Sequence, residues 1–123
     1  MPLRWALSLA AEAAPAGIRL KVEGWCLANA DIKSVRVTLD GVARQAPVWL
    51  PRADVHLVMN GEGRYAAWNS LCCGFDCEML FEAVHPAGPQ LAATAEVVFG
   101  DGRFVPIMTS ERLRLGVPFT TGR

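Results

Sequence analysis

The feature that most constrains this chain is a repeated alternation of apolar and polar residues, cut at short intervals by turn-forming residues. Ile18, Leu20 and Val22 alternate with Arg19, Lys21 and Glu23, and Val35, Val37 and Leu39 alternate with Ser34, Arg36 and Thr38. Side chains in a strand point to opposite faces in turn, so each run has one buried face and one wet face. Trp25 and Leu27 extend the first run, and Gly24 marks either a bulge or a place where another backbone or ring comes close. A polar break at 28–31 separates the two runs. Asp40-Gly41 then closes the second, because glycine accepts positive φ and aspartate tolerates it, which allows a tight hairpin.

The rest of the chain follows the same logic. Trp5, Leu7 and Leu9 against Arg4, Ala6 and Ser8 predict a first strand over 3–9. Pro15 and Gly17 make 10–17 a loop. A strand over 42–49 should answer the Asp-Gly turn, and Pro47 makes it an edge strand, since proline has no N–H for a central ladder. Periodicity fails over 50–70, a stretch long enough to contain a helical turn at 53–59 or to fold across a sheet edge. From Gly74, inward Phe75, Cys77, Met79 and Phe81 against Asp76, Glu78 and Glu82 predict a central core strand. After the turn cluster at 85–89, alternation resumes over 91–99, and Gly100-Asp101-Gly102 opens a second hairpin into 103–108. A last edge strand is expected at 113–117, with 120–123 a mobile tail after a single domain over 1–119. Seven or eight short strands without an ordinary helix are the pattern of an antiparallel immunoglobulin-like sandwich, a small closed barrel being the alternative.

One hundred and twenty-three residues suffice for one hydrophobic core. Twelve basic and twelve acidic side chains balance, so no overall field recruits nucleic acid or an anionic membrane. No apolar run approaches the ~18 residues of a membrane span. The start of the chain imitates a secretory signal only weakly, with one basic residue and Glu12 ahead of any cleavage point, so a cytoplasmic, reduced setting is expected. Cys26, Cys72, Cys73 and Cys77 raise the prospect of a disulfide framework or a zinc site. Adjacent Cys72 and Cys73 point to opposite faces when extended, and no CxxC or HxxxH spacing accompanies them, so buried or reduced thiols are the favoured reading.

Catalytic constellations are sparse. His56 and His85 are the only bases near neutral pH, and neither lies in a nucleophile motif. The glycine pairs at 61–63 and 100–102 lack the lysine and helix start of a phosphate loop, and no EF-hand run is present. Neither cofactor nor metal is expected. Trp49, Tyr65 and Trp68 are more suggestive, lying in or beside the irregular segment. Aromatic rings there pack under a loop, anchor a protein partner or stack on a sugar.

One combination of residues points to a family: Gly24-Trp25, then Ile32, Val35, Val37 and Leu39-Asp40-Gly41, then Arg52-Ala53-Asp54-Val55, and, after Asn69-Ser70 and an inserted Leu71-Cys72-Cys73, Gly74-Phe75. This resembles the β-sandwich modules found beside glycosyltransferase or methyltransferase domains in bacterial cell-surface polysaccharide proteins. The resemblance implies a non-catalytic accessory domain that scaffolds or positions an enzyme or its glycan, with a glycosyltransferase or another protein as partner. Candidate contact residues are Trp49, Arg52, Asp54, Tyr65 and Trp68. Within that set, Asp54 is expected to cap the turn or short helix and Arg52 to pair with an acid on a strand face. A carbohydrate-binding module using the loop aromatics stays open, and so, more distantly, does a thiol- or zinc-dependent enzyme.

Overall fold

A computed structural model of the chain describes residues 3–60, 71–82, 84–86 and 88–123. Eight strands and one short helix follow in the order β1 (Leu3–Ala14), β2 (Gly17–Ala28), β3 (Ile32–Leu39), β4 (Val42–Pro47), α1 (Ala53–Asn60), β5 (Gly74–Glu82), β6 (Gln90–Phe99), β7 (Phe104–Arg114) and β8 (Phe119–Gly122). They form two four-stranded antiparallel sheets, β5-β2-β1-β8 and β4-β3-β6-β7. Crossing from β2 to β3 and from β4 to β5 while β2 pairs with β5 and β3 with β6 is the immunoglobulin-like arrangement of a sandwich.

The inward set matches the alternation. Leu7, Leu9, Ile18, Leu20 and Val22 of one sheet meet Val35, Val37, Leu39, Leu91 and Val97 of the other, all essentially without solvent exposure. Asp40 (φ 46°) and Gly41 (φ 86°) both take positive φ, the signature of a type I′ hairpin. Asp40 also ties this turn to β6: its N–H donates to the Ala92 carbonyl at 3.0 Å, and its carboxylate accepts from the Ala92 N–H at 3.1 Å.

Four expectations are corrected. Residues 10–14 are not a loop but the continuation of β1, paired with β2 out to Ala14 opposite Gly17, because small alanines fit the ladder and Ala11 enters the core. β5 is an edge strand rather than a central one, with its large residues buried by the facing sheet instead of by strands on both sides. The irregular segment, by contrast, carries the helical turn expected at 53–59, as α1 of about two turns. The strand expected at 113–117 is the end of a single bulged β7, interrupted opposite Ala93 to Glu96. The tail is β8: residues 119–122 pair with β1, Arg123 N–H donates to the Trp5 carbonyl at 2.8 Å, and Arg4 Nε donates to the Arg123 carbonyl at 2.9 Å. An open β1 edge recruits whatever strand can satisfy its N–H and C=O groups.

Candidate functional site

The chain leaves β4 at Pro47 and crosses from one sheet to the edge of the other. Leu50 makes an isolated antiparallel bridge with Gly74. Leu50 N–H donates to the Gly74 carbonyl at 3.0 Å and Gly74 N–H returns to the Leu50 carbonyl at 2.9 Å, with Trp49 N–H also donating to Gly74 at 3.0 Å. Gly74 is required here, since a Cβ would sit 2.7 Å from Arg52 Cγ and 3.1 Å from the Leu50 carbonyl oxygen.

Arg52 is the hinge between this bridge and α1. Its N–H donates to the Leu71 carbonyl at 2.9 Å, and its own carbonyl accepts the first helical bond, from His56 N–H, at 2.9 Å. Its guanidinium grips Asp54 with two parallel bonds, Nε to Oδ1 at 3.0 Å and Nη2 to Oδ2 at 2.9 Å. The acid Arg52 takes is therefore its neighbour two residues on, not one from a strand face, because the first turn of the helix brings the carboxylate back over the guanidinium. Asp54 in that first turn also accepts from the Val55 backbone N–H and faces the positive end of the helix dipole. The Arg52 bonds, with the backbone N–H groups, draw the Asp54 carboxyl from 3.8 down to about 2, while Arg52 is raised. Both groups are substantially exposed, so the clamp sets geometry more than it adds stability.

Beneath the clamp, Val55 packs on Leu27 and Cys73, with Trp25 partly buried against them. Cys26 N–H donates to the Cys73 carbonyl at 3.0 Å. Burial raises the thiols of Cys26 and Cys73, the latter to about 11, which favours the protonated form over the thiolate needed for nucleophilic or metal chemistry. No group of three or more His, Cys, Asp or Glu converges on a metal-sized space among the described residues.

Around this scaffold, large apolar side chains also face outward. Trp49 is 61% exposed, Leu57 on α1 70% and Leu71 45%. The structure thus gathers Trp49, Arg52 and Asp54 into one rim, while Tyr65 and Trp68 lie outside the described residues. The sequence assigned no contact role to Leu57, nor to Leu71, which it marked only as part of an insertion; an apolar residue in a non-alternating segment carries no sign of which way it points. No protein-family model, curated protein or solved structure matches this chain.

Proposed function

We propose that this chain is a non-catalytic interaction module associated with bacterial surface-glycan assembly, with the Trp49–Arg52–Asp54 rim as its protein-binding surface. The observation that carries the reading is the pairing of a rigid element with exposed apolar side chains. A bidentate clamp fixes the start of α1, and Trp49, Leu57 and Leu71 project around it without a covering element in the described chain. Tryptophan and arginine on a fixed backbone are the residue types that dominate protein interfaces, because they bury much area while losing little freedom. A glycosyltransferase is the expected partner on the strength of the sequence resemblance. The raised cysteine pKa values favour a module over a thiol enzyme.

The test is affinity capture from a bacterial lysate rich in surface-polysaccharide enzymes, read by quantitative mass spectrometry, with wild type beside Trp49→Ala and Leu57→Asp. A glycosyltransferase enriched by wild type and depleted at least about tenfold by either variant supports the reading. Equal recovery with all three chains contradicts it.

A further inference from the structure

We propose that the outer face of the β5-β2-β1-β8 sheet carries a saccharide-binding cleft, built on Asp76, Glu23, Ser8 and Thr120 beside Trp25 and taking an uncharged, hydroxyl-rich sugar chain. The strand register places these residues. Glu23 lies opposite Asp76, Ser8 opposite Glu23, and Thr120 opposite Ser8, so one polar row crosses all four strands. At the spacing of neighbouring strands that row is about 14 Å long, on the order of two or three pyranose rings. The next row reads Gly74, Trp25, Ala6, Gly122. An indole flanked by residues with no side chain or a single methyl leaves the sheet surface low on either side of it. The two rows line an open cleft of about 410 Å³, within the range of small-molecule sites.

The electrostatics of the polar row favour a ligand. Two carboxylates directly opposite each other on one sheet face repel. Elsewhere on this sheet Arg19 bridges two acids, Glu78 at 2.7 Å and Glu12 at 3.7 Å. Glu23 and Asp76 make no ion pair among the described residues, and Arg52, which reaches the same cleft, is committed to Asp54. What remains is a row of strong acceptors, two hydroxyls that accept or donate, and an aromatic side chain. Sugar hydroxyls supply donors to carboxylates, and the C–H face of a pyranose stacks on an aromatic ring. Anionic ligands, nucleic acid among them, are repelled by the same acids.

The cleft touches the protein-binding rim at Arg52, but its polar row comes from other residues, so either can fail alone. The test is calorimetry and two-dimensional amide NMR on the intact chain, titrated separately with cellohexaose, mannohexaose, chitohexaose and calcium chloride. At least one hexasaccharide should bind with a Kd below about 1 mM and shift the Trp25 indole N–H signal. Glu23→Gln and Asp76→Asn should each weaken that binding by about tenfold or more while leaving the thermal midpoint unchanged or higher, since each relieves the repulsion. A purely structural role would lower the midpoint instead. The proposal is overturned if none of the three sugars binds, if calcium alone shifts the same signals and the sugars do not, or if sugar binding survives both substitutions.

Discussion

Gly24 shows how much a single residue holds in this fold. Its φ is 151°, and a Cβ there would lie 2.0 Å from the Ala6 carbonyl oxygen. The sequence left two readings of this glycine, a bulge or a close approach, and the unbroken β1–β2 register makes it the second. Gly24→Ala should therefore cost about 2–4 kcal/mol in urea unfolding, through backbone strain and overlap together. The Arg52–Asp54 clamp makes a prediction in pH. The Asp54 carboxyl is depressed in the folded state, so its contribution to stability is present above 3.8 and lost as pH falls through about 2. The difference in thermal midpoint between wild type and Asp54→Asn should shrink from pH 4 to pH 2; a difference that stays flat would remove the clamp from the account. Arg52 as the partner was not legible in the sequence, because a segment without alternation gives no sign of which of its residues share a face. The buried thiols behave in the same local way. Maleimide at pH 8 should modify half-buried Cys72 well before Cys26 and Cys73, with the order lost in denaturant.

At the level of elements, strands with alternation or a turn signal beside them were legible, and stretches with neither were not. β2 and β3 declare themselves by period two. The end of β1, Ala10 to Ala14, is alanine apart from Glu12, so its faces contrast little, and only the partner strand makes it extended. β8 is a strand for the same reason, as β1 offers an open edge. The misplacement of β5 has a different origin: alternation reports which face is buried, not how many strands lie alongside. Phe81 sits on that edge strand yet has no solvent exposure, so Phe81→Ala should cost about 3–5 kcal/mol, as for a core residue, by equilibrium denaturation. Removing residues 119–123 should leave the β1 edge unpaired and lower the thermal midpoint by several degrees. Sedimentation should then show self-association absent from the full chain. The two edges of the other sheet are blunted by Pro47 on β4 and by Pro106 beside the β7 bulges.

For the whole molecule, a neutral chain with an immunoglobulin-like core offers two surfaces that meet at Arg52. One is the rim where the β4–β5 crossing lays a clamped helix and exposed apolar residues over the end of the sheet; the other is the acidic row on the outer face of β5-β2-β1-β8. The sequence pointed to the first through Trp49, Arg52 and Asp54, which are neighbours along the chain. It was silent on the second, because Asp76, Glu23, Ser8 and Thr120 come from four strands and meet only through register. The central claim is that this sandwich acts by holding a partner at the rim, and the most direct measurement is quantitative capture of a glycosyltransferase by wild type and by Trp49→Ala. The account predicts enrichment by the wild-type chain and loss of at least about tenfold with the variant, whose thermal midpoint should be unchanged because Trp49 is exposed. Capture of no glycosyltransferase by the wild type, or equal capture by both chains, would contradict it.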